Sequence, residues 1–192
     1  MPGTEPISFG HDIAQQTFSI AGADLLVDGL AVKSLAAVYG TPLFVYDAAA
    51  MRRAYRELRN TLAGFCGVFY SVKANPNPAI LRVFVEEGAG PEIASGGEYL
   101  RARAAGARPQ SIYFAGPGKG EDELELVIGQ GIGEIHLESY DEIDKVAAIG
   151  ERLNRLVRVA FVSIQLPRPK AVPCGWEASQ FLSALTKRIS SI

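Results

Sequence analysis

The chain has 192 residues, 48% of them hydrophobic and 21% charged, with a formal net charge of −2. This is the composition of a globular protein with one good core, without the basic field that nucleic acid requires. No apolar run approaches the roughly 18 residues of a membrane span. Residues 1–10 lack the charged-then-apolar pattern of a signal peptide. The two cysteines, Cys66 and Cys174, make neither a metal site nor a disulfide framework. The expected compartment is therefore the reducing cytoplasm, with no nucleic-acid or membrane partner and no metal.

Taken in order, residues 1–10 are polar and punctuated by Pro and Gly, and are expected to be poorly ordered. Phe18 to Ala21 and Leu25 to Val27 read as short strands around a turn at Gly22-Ala23-Asp24. Val32 to Tyr39 has helical spacing and is stopped by Gly40-Thr41-Pro42. Leu43 to Tyr46 reads as a strand, and Asp47 is a good N-cap for a helix from Ala48 to about Leu62. From there strands and helices alternate. Strands are expected at 68–72, 92–94, 111–114, 134–137 and 156–161. Helices are expected near 77–87, 97–105 and 121–130, and from the Ser139 cap to about Leu153. Short strands alternating with helices of about ten residues mean repeated βα units and a parallel sheet. A doubly wound sheet and a (β/α) barrel both fit this rhythm. The barrel is favoured because polar residues gather at strand C-termini (Lys73, Asn75, Ser95, Glu138), the face on which barrels build their sites.

One of those residues has special chemistry. Val68 to Val72 is an apolar run that delivers Lys73 to its end before Asn75-Pro76-Asn77-Pro78 breaks it. A lysine at a buried strand end is readily desolvated, which frees a neutral amine for imine formation. A lone strand-end lysine more often snorkels to water, so the reading depends on its companions.

Those companions are Gly40-Thr41-Pro42-Leu43-Phe44-Val45-Tyr46-Asp47, Tyr70-Ser71-Val72-Lys73-Ala74-Asn75, Ile93-Ala94-Ser95-Gly96-Gly97-Glu98 and Phe114-Ala115-Gly116-Pro117-Gly118-Lys119. In this order and spacing they resemble the N-terminal half of pyridoxal-phosphate-dependent amino-acid decarboxylases of the alanine-racemase-like fold, the diaminopimelate and ornithine decarboxylases among them. The resemblance spans roughly residues 15–160. It implies an α/β chain holding a partial (β/α)8 TIM-type barrel of about five βα units at 43–160. It also implies an N-terminal segment, 1–42, belonging in part to a second β-domain. The cofactor it implies is pyridoxal 5'-phosphate, with Lys73 as the Schiff-base lysine, Glu92 beside the cofactor or else a strand-end carboxylate in solvent, and His136 stacked near the cofactor or else a satisfied core residue. Many relatives carry Asp where Glu92 stands. Glu98 is read as a helix cap, and Gly116 to Gly120 as a structural turn. Intact relatives are homodimers that remove the α-carboxylate of a basic or dicarboxylic amino acid. The family's later arginine, histidine, phosphate-binding glycines and β-domain residues are not found here.

After Phe161 the rhythm fails, and residues 161–192 read as an irregular tail. If one base is lost near Ala160, each codon joins the third base of one printed codon to the first two of the next. Ala160 to Gln165 can then encode Leu-Arg-Val-Asn-Pro, Val172 to Ala178 Ala-Met-Arg-Met-Gly-Gly, and Leu182 to Arg188 Phe-Gly-Ile-Asp-Glu-Glu. Trp176 followed by Glu177 admits only glycine. All three strings resemble the family's next stretch, so the tail is read as out of frame. The expected function is that of a decarboxylase fragment with little turnover alone. The rivals are a non-catalytic half-barrel partner of a full-length homologue and a small pyridoxal-phosphate carrier.

Overall fold

The computed structural model of the chain describes residues 18–22, 24–62 and 65–162. The start at 1–10 and the tail from 163 onward, on which two of the expectations above fall, lie outside the described residues. No helix among the described residues is long and apolar enough to cross a membrane.

The first element is a three-stranded antiparallel meander, β1 (Ser19–Ala21), β2 (Asp24–Val27) and β3 (Leu30–Ala31). The β2–β3 turn is Asp28-Gly29, both at positive φ (49° and 77°). Two successive left-handed residues make the hairpin turn whose twist matches its strands, and Asp-Gly meets that demand at low cost. β3 was not expected from the sequence, although this dipeptide signals it. Helix α1 (Val32–Tyr39) follows and ends at Gly40. The strand expected at Leu43 to Tyr46 is not formed: the segment is irregular, and Phe44 is 85% exposed. Its β-prone residues have no strand partner among the described residues, and propensity alone does not hold a strand.

Helix α2 (Ala48–Thr61) begins at Asp47, whose Oδ1 accepts from the N–H groups of Ala49 (2.7 Å) and Ala50 (3.1 Å). It packs on α3 (Pro78–Glu87), which has Asn77 as N-cap and Pro78 in its first turn, where a missing N–H costs nothing. Arg52 and Arg56 of α2 grip Glu87 of α3 at 2.9 and 2.6 Å, and Arg52 also reaches Glu86 at 2.7 Å.

The main body is a five-stranded parallel sheet of β4 (Phe69–Ser71), β5 (Gly90–Ile93), β6 (Tyr113–Phe114), β7 (Glu134–Leu137) and β8 (Val159–Phe161). Helices α3, α4 (Gly96–Ala104), α5 (Glu121–Gly129) and α6 (Tyr140–Leu153) lie between successive strands. The spatial order is β4-β5-β6-β7-β8. A doubly wound sheet reverses direction at a switch point; this sheet never does, so it is singly wound, as in a barrel.

Burial is one-sided. Ile93, Ile112, Phe114 and Ile135 are fully buried with Tyr99 and Ala102 of α4, Leu124 and Val127 of α5, and Val146 and Ile149 of α6. The alternate strand positions, Ser71, Glu92, Tyr113, Glu134 and His136, are only partly buried. Strand side chains alternate between faces, so the helices cover one face and the polar face is the concave interior of the partial barrel. β5 begins two residues before the expected strand, because Pro91, buried and with no N–H to give, still fits it. β8 is shorter than expected, with Leu156 wholly exposed before it.

Candidate functional site

The motif around Lys73 builds its own turn. Tyr70 turns to the helix side and stacks on Phe84 of α3, with ring centroids 4.2 Å apart and planes 15° apart. Its hydroxyl donates to the carbonyl of Asn75 at 3.3 Å, and the Asn75 side chain accepts from the Asn77 N–H at 3.0 Å. Val72 is fully buried in the core. Strand β4 ends at Ser71, and a 3₁₀ turn, Val72–Ala74, carries Lys73 beyond it. Lys73 therefore follows the strand, as the expected strand 68–72 implies, one residue past a buried anchor. It is exposed, so the burial expected of it is not seen among the described residues.

The register lays out the concave face in rows. Ser71, Glu92, Tyr113 and Glu134 stand side by side. Two residues further along, the next row is Ala94, Ala115, His136 and Ala160, with His136 paired to Ala160. This upper row lies at the strand C-termini, where the Lys73 turn also sits. Between the lysine turn and the imidazole the row holds only the small residues Ala94, exposed, and Ala115, partly buried. In the row below, the Ser71 hydroxyl is buried with no hydrogen-bond partner. Glu92 is half-buried between Ser71 and Tyr113. A row of rings crosses the same face: Phe69 and Tyr113 have centroids 4.1 Å apart, and Tyr113 meets His136 edge-on at 6.0 Å. His136 Nε2 lies 3.2 Å from Glu134 Oε1, and Glu134 Oε2 lies 3.6 Å from the guanidinium of Arg158, the residue before β8.

The loops above the sheet are tied by carboxylates. Ser95 Oγ accepts from Glu98 N–H (3.2 Å) and caps α4, while Glu98 Oε2 accepts from Ala94 N–H (2.7 Å), so the Glu98 side chain is tied to the entry of the helix. Glu123 spans two units, accepting from Gly96 N–H (2.6 Å) and Gly120 N–H (3.0 Å). Glu142 accepts from Glu138 N–H (2.9 Å) and from the Lys119 ammonium (3.1 Å), which also donates to the Gly116 carbonyl (2.6 Å). Burial pushes the Glu142 carboxyl up, but the Glu138 N–H and Lys119 outweigh it and hold it below the usual range. Gly116 to Gly120 is thus a structural turn whose lysine faces inward. Carboxylates thus already take the Gly96, Gly120 and Glu138 amides at the entries to α4, α5 and α6.

The structure thus brings Glu92 and His136 to one face and Lys73 to its C-terminal edge. Sequence reading missed Ser71, Tyr113 and Glu134 on that face. The signal was available, since Glu134 and His136 alternate with the buried Ile135 and Leu137. It also missed Lys119 as a buried cation, for which no local signal exists.

Residues 48–181 match the family model of the pyridoxal-dependent decarboxylases, pyridoxal binding domain. That span runs past Ala160, where the shifted frame is expected to begin. Among curated relatives, the diaminopimelate decarboxylase of Zymomonas mobilis is 37% identical over 147 residues, which cover 74% of this chain and 35% of the relative. Among solved structures, AQ1208 from Aquifex aeolicus is similar with a TM-score of 0.73 and 33% identity, over 77% of this chain and 36% of the other. The diaminopimelate decarboxylase from M. jannaschii, in co-complex with L-lysine, is similar with a TM-score of 0.69 and 26% identity, over 77% and 36%. The chain spans about a third of the length of the relatives it matches. With a singly wound sheet, a lysine turn at its C-terminal edge and a family match across most of its length, the chain belongs to the pyridoxal-dependent decarboxylases, through their pyridoxal-binding domain.

Proposed function

We propose that this chain is the cofactor-anchoring part of a decarboxylase acting on an amino acid of the diaminopimelate-like or basic class, with Lys73 as the Schiff-base lysine. The observation that carries this reading is the Lys73 turn at the C-terminal edge of the face that holds Glu92 and His136, together with the buried Ser71 hydroxyl of that face, which has no hydrogen-bond partner. The polar edge of a bound pyridine ring would satisfy the orphaned Ser71 hydroxyl. Pyridoxal phosphate therefore fits the residues present. Lys73 supplies the amine that holds the cofactor, while Glu92 and His136 border it from the sheet. The bound pyridine ring supplies an electron sink for the pair left at the substrate α-carbon when carbon dioxide departs. The relatives' names, and the L-lysine in the M. jannaschii title, support the amino-acid class.

Alone, this stretch is expected to hold cofactor without turnover, because its concave face is open. Phe69 is 38% exposed there and Lys73 is exposed, whereas loss of carbon dioxide on a cofactor ring is favoured where water is excluded. The test is to add pyridoxal phosphate to the purified chain, reduce with borohydride and map the modified peptide by mass spectrometry. The expected adduct is on Lys73 and is lost in Lys73→Ala. Labelling spread over surface lysines, or no adduct at all, refutes the proposal.

A further inference from the structure

The concave face contains one polar arrangement with no part in the reading above. Glu134 starts β7 two residues before His136, on the same face, and its side chain is 17% exposed. A carboxylate only accepts, so the 3.2 Å contact to Nε2 requires the proton on that nitrogen. Nδ1 then presents a lone pair. The imidazole is met edge-on by Tyr113 from the row below, and Ala160 on β8 stands beside His136 in its own row. No other side chain among the described residues gives it a hydrogen bond. Arg158, just before β8, reaches the second oxygen of Glu134, so the carboxylate has a countercharge whether or not the imidazole is charged. The remaining ionisable groups on this face, Glu92 and Tyr113, lie in the same row as Glu134.

We propose that Glu134 is the positioning residue for His136: it holds the ring tip down against the lower row, sets the Nε2–H tautomer, and so fixes the imidazole at the border of the cofactor site. The inference deepens the proposed function and rests on its placing of His136. Without Glu134 the ring is free to swing over Ala115, toward the cofactor.

The test separates the two readings. The chain has two histidines, His11 and His136, so ¹⁵N-histidine labelling gives two imidazoles, assigned with His136→Gln. Spectra of the cofactor-free chain at about pH 8, where an ordinary imidazole is neutral, are expected to show His136 protonated on Nε2 alone. Glu134→Leu is expected to give a mixture of tautomers and to weaken pyridoxal phosphate binding, followed by fluorescence, about tenfold. Glu134→Gln, whose amide oxygen accepts the same proton, is expected to restore both. An Nδ1-protonated His136 in the wild-type chain overturns the inference, as does a Glu134→Leu chain with unchanged tautomer or unchanged affinity. If Glu134→Leu does not fold, the wild-type tautomer and Glu134→Gln decide. A wild-type chain that takes up no cofactor refutes the proposed function instead, while the tautomer still decides whether Glu134 holds the ring.

Discussion

Replacing Glu142 with leucine is expected to destabilise the chain by about 3–5 kcal/mol, the usual cost of breaking a buried ion pair from one side. The magnitude follows from burial. The Lys119 side chain is 1% exposed and that of Glu142 5%, with their charged atoms 3.1 Å apart. Once the carboxylate is gone, the ammonium keeps only the Gly116 carbonyl at 2.6 Å and the face of Phe114 at 5.6 Å. Neither offsets a full charge removed from water. For a domain of this size, about 2–4 °C of melting temperature per kcal/mol translates the loss into roughly 6–20 °C. Thermal and urea unfolding followed by circular dichroism would measure it. The double variant Lys119→Met/Glu142→Leu removes both charges and is expected to recover most of the loss, since a buried pair replaced by apolar groups is often neutral. The wild-type pH profile is a second check. The folded Glu142 carboxyl lies below its usual range. Its contribution is therefore complete above the unfolded value of about 4.3 and is lost as pH falls through the folded one. A Glu142→Leu cost under about 1 kcal/mol, or a double variant equal to the sum of its singles, would refute the reasoning.

Three further outcomes are expected. Gly133→Ala should cost about 1–3 kcal/mol or more, because a Cβ there would overlap the Gln110 carbonyl oxygen, which is backbone and cannot step aside; an unchanged melting temperature would count against the packing at the start of β7. Ser95→Ala should cost about 0.5–2 kcal/mol through loss of the α4 cap. Hydrogen exchange should then speed up at the Glu98 amide, and equal exchange rates would show that the Glu98 side chain holds the turn alone. Resequencing the gene around the Ala160 codon should reveal a missing base followed by the Leu-Arg-Val-Asn-Pro frame, and an intact frame with no decarboxylase-like continuation in another would refute the shifted tail.

Much of the local structure was legible. The spans of α1, β7 and α6 agree with the sequence reading, because each has a clear apolar period and a distinct end: Gly40 stops α1, and Ser139 caps α6. The misreadings share a cause. Leu43 to Tyr46 has strand composition but no partner, β5 tolerates a proline that normally excludes a strand, and the strand expected from Leu156 begins only at Val159. In each case pairing with a neighbour, not composition, decides where a strand exists.

The candidate site divides the same way. The order of short motifs around Lys73, Ser95 and Gly116 was enough to identify the family and to single out Lys73 as the proposed anchor, since caps, turns and helical stripes are set by residues within a few positions of each other. What only the tertiary structure decided is which residues meet across units. Lys119 and Glu142 are 23 positions apart and meet only because β6 and β7 are adjacent and both crossover helices lie on one face. Glu134 faces Arg158 because of the β7–β8 register, and a slip of one residue would send either side chain to the opposite face. The lysine that marks the chain is local information, whereas the rings and carboxylates around its place are products of strand order and register.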